Sequence, residues 1–192
     1  MTQMTTKLLT FTALLLTATT VAAHTGHGTG GLASGLLHPM LGLDHLLAMA
    51  AVGFWSVRQG NLMKNATPLF VVGGMILGAG IAFAGIALPG VETGIVLSVM
   101  VAGILIAAMA KLPTAVGGSL VVAFMVFHGH AHGTEVPAGA ALAAYLVGFS
   151  VATLAITFAG RGLGSLLMKA DNRIARGVGA ALVGTGAVLM AG

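Results

Sequence analysis

An apolar stretch from about residue 35 to residue 57 contains two histidines and an aspartate, and this feature most constrains the fold. A stretch of this length crosses a bilayer as one helix, so we predict a transmembrane helix here. His38 and His45 are seven residues apart, which places them on one stripe of that helix, with Asp44 beside it. Ionisable groups are costly in hydrocarbon and usually mark a site. The pattern indicates either a borderline divalent metal such as nickel or cobalt, or a buried His–Asp pair that only locks helix packing.

The composition of the whole chain excludes an ordinary soluble domain. Hydrophobic residues make up 57% of the chain and charged residues only 6%, with a mean hydropathy of +1.04. So few charges cannot cover a globular surface in water, and we predict an integral membrane protein embedded in a lipid bilayer. The eight Lys and Arg residues form no basic cluster with interleaved aromatics, so nucleic acid is not an expected partner. The absence of cysteine excludes disulfides, thiolate metal sites and cysteine nucleophiles.

The first 23 residues have the pattern of a cleavable signal peptide. Lys7 supplies the positive start, a short apolar core follows, and small residues end at Ala23. Cleavage there leaves a single mature domain over residues 24–192, with a free amine on His24 and with His27 close by. One interpretation of this pattern is a chelating set for a metal ion. The alternatives are an uncleaved extra helix and a flexible leader whose histidines are merely solvated.

We predict an all-α integral membrane protein that is a bundle of six transmembrane helices. The predicted spans are residues 35–57, 68–88, 90–110, 112–128, 138–160 and 174–192. The five prolines fall at or near the starts of these spans, where a missing N–H costs least. With both mature termini outside the inner membrane, every Lys and Arg after the signal peptide lies inside, as the positive-inside rule requires. Patterns such as Gly74-xxx-Gly78 predict close helix contacts and leave open a monomer or a homo-oligomer.

A second cluster of potential ligands lies at the predicted outer end of the fourth span and contains His128, His130 and His132. If the segment is helical, His128 and His132 share a face; if it is extended, all three imidazoles point the same way. The clustering indicates metal contact, and the alternative is an interfacial loop with a pH-sensitive charge. We expect the cluster at the wet edge, so that His132→Ala only weakens apparent affinity. Glu92, at the outer start of the third span, and Met49, one turn below His45, complete the predicted ligands.

Together these motifs resemble the HupE/UreJ family of nickel and cobalt permeases, which are associated with hydrogenase and urease maturation. The resemblance rests on His38-Pro39-x-x-Gly42-x-Asp44-His45-x-x-x-Met49, on Pro89, Glu92 and Ser98, and on His128-Gly129-His130-Ala131-His132-Gly133. It implies a secondary transporter that carries Ni²⁺ or Co²⁺ across the bacterial inner membrane, without a prosthetic cofactor or an ATPase of its own. The functional residues that it implies are His38, Asp44, His45, Glu92, His128 and His130.

Two other functions stay open on sequence grounds. An intramembrane metalloenzyme would use His, Asp and Glu to hold a catalytic zinc, but the chain has no His-Glu-x-x-His motif and no nucleophile beside a base. A metal-binding accessory or sensor protein would hold ions at the outer face without moving them. The chain has no nucleotide-binding loop, so a transporter of this sequence draws its energy from a gradient or a partner. We therefore predict a non-enzymatic transporter of divalent nickel or cobalt.

Overall fold

The computed structural model describes residues 31–191, and every regular element in this range is an α-helix. The seven helices of this range are α1 (Gly31–Leu41), α2 (Leu43–Ser56), α3 (Asn61–Phe83), α4 (Val91–Ala107), α5 (Thr114–Thr134), α6 (Leu142–Ala170) and α7 (Asn172–Ala191). The prediction of an all-α chain is confirmed for these residues. The signal peptide predicted for residues 1–23, and with it His24 and His27, lies outside the described residues.

Four helices of the described range, α3, α5, α6 and α7, are long and apolar enough to cross a membrane. α1 and α2 pass the same test only as a broken pair, which would raise the number of candidate spans to five. α4 is apolar but has only 17 residues. Large apolar side chains such as Leu69 and Val188, each 73% exposed, form the surface that lipid tails require. The chain is therefore a multi-pass membrane protein, and the six-span arrangement stays a prediction.

The single straight helix predicted over residues 35–57 is wrong. α1 ends at Leu41, Gly42 is extended (φ −89°, ψ 114°), and α2 leaves the break bent by 83° from α1. The common stripe of His38 and His45 therefore does not exist. A Cβ at Gly42 would lie 3.1 Å from Asp44 Oδ1 and 3.1 Å from His45 Nδ1. Glycine suits this break because the two side chains lie directly against it.

Two prolines that we expected near helix starts lie inside helices. Pro39 is in α1 and Pro68 is in α3, because both helices begin earlier than predicted. Pro68 has no N–H to donate to the carbonyl of Lys64, four residues before it. The Arg161 guanidinium of α6 donates to this carbonyl instead. A tertiary contact thus satisfies the carbonyl that the proline leaves free. The sequence near Pro68 does not predict this contact, because the donor comes from a distant segment.

The helices pack mainly in three groups: α3 against α5, α4 against α7, and α6 against both α1 and α2. Glycines let the backbones touch in these groups. A Cβ at Gly78 of α3 would overlap the Val126 carbonyl of α5, and one at Gly53 of α2 would overlap the Thr157 carbonyl of α6. The close contacts predicted from Gly74-xxx-Gly78 are confirmed. Because α5 carries three histidines, the α3–α5 contact also sets the position of the second histidine motif.

The two ends of the bundle differ in chemistry. The end of α3 meets the end of α5, where His130 contacts Ile86, and we call this the histidine end. The start of α3 meets the end of α4 at the opposite end, where Gln59 contacts Ala110. We call this the basic end, because it holds all Lys and Arg of residues 31–191: Arg58, Lys64, Lys111, Arg161, Lys169, Arg173 and Arg176.

We predict that Gly78→Ala destabilises the protein and that Gly80→Ala does not. The new methyl group at position 78 would overlap backbone atoms of α5, whereas a Cβ at position 80 meets nothing within 4 Å. Overpacking of this kind costs about 1–3 kcal/mol. The measurement is the thermal unfolding midpoint of both variants in the same detergent. Equal midpoints for the two variants would contradict the proposed backbone contact.

Candidate metal-binding site

α5 continues as a helix through the histidine-rich segment to Thr134, which decides between the two geometries left open by the sequence. His128 and His132 lie one turn apart on the face toward α2, and His130 lies on another face. The expectation that these residues sit at a wet edge is wrong. His128 is fully buried, His132 is 1% exposed and His130 is 7% exposed, because α1, α2 and the end of α3 cover this end of α5.

His132 lies at the centre of a group of four imidazoles. Its ring centroid is 4.8 Å from that of His38 in α1 and 4.8 Å from that of His45 in α2. The ring of His45 is in turn 4.9 Å from that of His128. We call His38, His45, His128 and His132 the histidine cluster. The break at Gly42 forms this cluster, since it brings the two histidines of the broken span to the same histidine of α5.

Hydrogen bonds assign the ring protons of two of these imidazoles. His128 Nδ1 lies 2.9 Å from the Phe124 carbonyl oxygen, and His45 Nδ1 lies 2.9 Å from Asp44 Oδ1. A carbonyl or ionised carboxylate oxygen can only accept, so Nδ1 is the donor in each ring, and in the neutral imidazole Nε2 then presents a lone pair. Both Nε2 atoms are buried and have no hydrogen-bond partner among residues 31–191. Buried nitrogens without partners are unfavourable, and two neighbouring imidazoles with free lone pairs are able to coordinate a metal ion.

A second group of potential ligands lies nearer the surface. His38 Nε2 is 2.6 Å from Glu135 Oε2, and these two residues and His132 offer ligand atoms that all lie within 4.8 Å of one another. Both ring nitrogens of His132 are buried without a partner in the described range, so this residue can serve both groups. Glu135 was not among our predicted ligands. Its position, one helical turn beyond His132, was the signal that could have identified it.

These residues surround a cavity of about 310 Å³ at the histidine end. Its lining residues are His38, Leu41, Gly42, Asp44, His45, Glu92, His132 and Glu135. Glu92 reaches it from the first turn of α4, after Gly90, whose positive φ of 68° suits glycine. Three carboxylates and no Lys or Arg line the cavity, so its electrostatic potential favours cations.

Two predicted ligands lie elsewhere. His130 Nε2 donates to the Ile86 carbonyl at 3.0 Å, which joins α5 to the α3–α4 connection. Met49 is fully buried in the core and is not among the cavity-lining residues. Helical periodicity predicts that His130 lies on a different face from His128 and His132, since only residues three or four apart share a face. This prediction required knowing that the segment is helical.

α6 contributes an aromatic wall that the sequence analysis did not identify. Phe149 stacks on the His132 ring with centroids 5.4 Å apart, and the Tyr145 ring lies 6.0 Å from that of His38. Both aromatic residues are fully buried and neither lines the cavity, so they pack against the two imidazoles from within the bundle. Backbone contact between Gly35 of α1 and Tyr145 fixes α6 against α1 here.

The comparisons with known proteins agree with the motifs that form this site. Residues 12–189 match the model of the family described as HupE / UreJ protein. Over 192 residues the chain is 40% identical to Protein HupE of Rhizobium leguminosarum bv. viciae, covering 97% of this chain and 98% of that protein. No solved structure matches the chain. The family match includes both histidine motifs and nearly the whole length, so the chain belongs to the HupE/UreJ family.

Proposed function

We propose that this protein is a secondary transporter that takes up divalent nickel or cobalt through the histidine cluster. The observation that carries the proposal is the pair of buried Nε2 atoms of His45 and His128, which have no hydrogen-bond partner among residues 31–191. Imidazole and carboxylate donors without thiolate suit these borderline ions. Membership of the HupE/UreJ family supports the same substrate, since the family resemblance implies nickel and cobalt permeases.

The two groups of ligands support transport in steps. The outer group, His38, His132 and Glu135, lies at the cavity, where Glu135 is 52% exposed and accessible to hydrated ions. The deep pair, His45 and His128, is more enclosed, and Asp44, which accepts from the His45 ring, supplies the negative charge that offsets the loss of water from the ion. His132 belongs to the first group and touches the second, so an ion can exchange ligands without becoming free. Successive sites of moderate strength allow both capture and release.

The distribution of charge supports an orientation in the bacterial inner membrane. The Lys and Arg residues at the basic end would face the cytoplasm according to the positive-inside rule. The histidine end, with its three carboxylates, would then face the periplasm and receive the ion. With six membrane crossings, this orientation would place both the mature N-terminus and the C-terminus on the outer side. The proposed functional link is the supply of metal for maturation of nickel or cobalt enzymes.

We predict that His132→Ala lowers the affinity for Ni²⁺ by about 100-fold or more, because even the loss of a residue that only orients a metal ligand costs about 10–100-fold. This replaces the mild effect expected from sequence, since His132 is buried and central. His130→Ala is the matched control: it removes a neighbouring imidazole on another face and should leave the affinity near the wild-type value. The measurement is isothermal titration of the purified variants with Ni²⁺ and Co²⁺. Equal losses in both variants would contradict the proposed ligand set.

We predict that Asp44→Asn abolishes uptake at every external metal concentration. Asparagine keeps an oxygen that accepts from the His45 ring, but it removes the charge that stabilises a dehydrated divalent ion. The loss of several kcal/mol corresponds to a rate reduction of more than about 100-fold. Asp171→Asn is the control, since the Asp171 carboxylate accepts from the Arg173 N–H at the basic end, away from the cavity. The measurement is Ni²⁺ and Co²⁺ uptake into vesicles at matched protein content, with and without a pH gradient.

Two results of that experiment would contradict the proposal. Near-normal maximal uptake by Asp44→Asn would leave Asp44 and His45 as packing residues. Metal binding without uptake by the wild-type protein would instead indicate an accessory or sensor role.

We predict that a cysteine at Thr134 reacts with a membrane-impermeant thiol reagent applied outside cells and that one at Asn61 does not. Both positions are exposed on the protein, at the histidine end and the basic end respectively. The chain has no cysteine of its own, so each label reports one position. Permeabilised cells provide the control, since both variants should then react. Labelling of Asn61→Cys in intact cells would reverse the proposed orientation.

A further inference from the structure

A buried glutamine joins two connections at the basic end. Gln59, between α2 and α3, is only 6% exposed. Its Nε2 donates to the Ala110 carbonyl at 2.9 Å, and its Oε1 accepts from the Leu112 N–H at 3.0 Å. Trp55 Nε1 donates to the same Ala110 carbonyl at 3.0 Å. Side chains of α2 and the loop after it are therefore bonded to the backbone between α4 and α5.

A second set of contacts ties α6 to the same region. Arg161 Nε donates to the Oγ of Ser56, the last residue of α2, at 3.2 Å. The guanidinium also donates to the Lys64 carbonyl of α3, which Pro68 leaves free. Trp55, Ser56, Gln59 and Arg161 thus link α2, α3, α6 and the α4–α5 connection. We call these four residues the basic-end latch.

One face of α2 between the histidine cluster and the latch is buried and apolar. Trp55 lies ten positions after His45 in α2, which corresponds to about 15 Å along the helix. In this interval Ala48 and Met49 are fully buried and Val52 is 3% exposed. A divalent ion would lose its water in such a layer without gaining ligands, at a high cost in free energy. The cation site is therefore open toward the histidine end and closed toward the basic end.

One ridge of α6 runs through this closed region. Phe149, Thr153, Thr157 and Arg161 follow one another at intervals of four residues, and such residues form a ridge on a helix. Phe149 stacks on His132 and Arg161 belongs to the latch, so the ridge joins the two ends. Thr153 and Thr157 are fully buried. The Thr153 hydroxyl has no hydrogen-bond partner among residues 31–191, which leaves an oxygen available between the cluster and the latch.

We propose that the latch is the closed inner gate of the transport cycle and that its opening lets the ion pass along the Thr153 ridge to the basic end. This inference rests on the proposed function, since it needs an ion that leaves the histidine cluster. The latch consists of side-chain hydrogen bonds between separate elements, so it can open without unfolding a helix. While it is closed, the positive charge of Arg161 stands at the exit and repels a departing cation.

A reducible cross-link tests the gate. Gly60→Cys and Lys111→Cys place thiols on the two connections that Gln59 joins, and a Cβ at position 60 meets nothing within 4 Å. We expect a short, reducible bifunctional reagent between these cysteines to stop Ni²⁺ uptake into vesicles. The Ni²⁺ affinity of the purified cross-linked protein should remain unchanged, because the histidine cluster lies at the other end. Reduction of the reagent should restore uptake.

The single-cysteine variants, treated with the same reagent, are the controls and should transport normally. Normal uptake by the cross-linked protein, with the cross-link verified by intact mass, would overturn the gate and leave the proposed transport standing. Absence of uptake by the wild-type protein before cross-linking would contradict both proposals. The failure of the gate and the failure of the transport function are thus distinct results.

A second measurement examines the ridge. A cysteine at Thr153 should react at least about tenfold faster with a thiol reagent applied at the basic end when Gln59→Leu is also present, because two hydrogen bonds of the latch are lost. A cysteine at Met75, which is fully buried between α3 and α5, is the control and should keep its rate. Equal rates for Thr153→Cys with and without Gln59→Leu would contradict the assignment of Gln59 to the gate.

Discussion

The hydrogen bonds that orient His45 and His128 are the interactions on which the rest of the site depends. An oxygen of Asp44 and the carbonyl of Phe124 can only accept, so both imidazoles keep their protons on Nδ1 and direct the Nε2 lone pairs elsewhere. Burial then removes water as a partner for these nitrogens. The stacked ring of Phe149 holds His132 beside them. These nitrogens, which have no partner among residues 31–191, are the basis for proposing that the site binds a divalent cation.

This arrangement requires helices that approach closely and stay in place. Gly78 lets α3 touch α5 near the histidines, and Gly35 and Gly53 let α1 and α2 touch α6. The backbone contacts compensate for the lack of a hydrophobic driving force between helices in lipid. They also explain how α1 and α2 can diverge by 83° at Gly42 and still present their histidines to the same residue of α5. α6 is the common support, since it packs against both halves of the broken span.

The two ends of the bundle have complementary tasks in the proposed transport cycle. Carboxylates and imidazoles at the histidine end attract and bind a cation, and the cavity there is open. At the basic end, Gln59 and Arg161 join the connections and close the bundle. Arg161 illustrates how the parts depend on one another, because its guanidinium both satisfies the carbonyl that Pro68 leaves free and places a positive charge at the proposed exit. The asymmetry of charge thus agrees with capture of a cation at the histidine end and with a closed exit at the basic end.

The sequence by itself determined the membrane class, the helical content, the family and most of the residues that surround the cavity. The membrane class and the helical content depend on composition, whereas the family and the cavity residues depend on short motifs with ionisable groups in apolar segments; all of these are local properties. It did not determine which imidazoles meet, because helical periodicity relates residues only within one uninterrupted helix. The bend at Gly42 places His38 and His45 on two different helices, so they do not share the predicted stripe. The packing of α5 against α1 and α2 determines that His132 and His128 are their neighbours. Glu135, the aromatic wall and the compensation of Pro68 by Arg161 likewise depend on contacts between distant segments, and only the tertiary structure decided them.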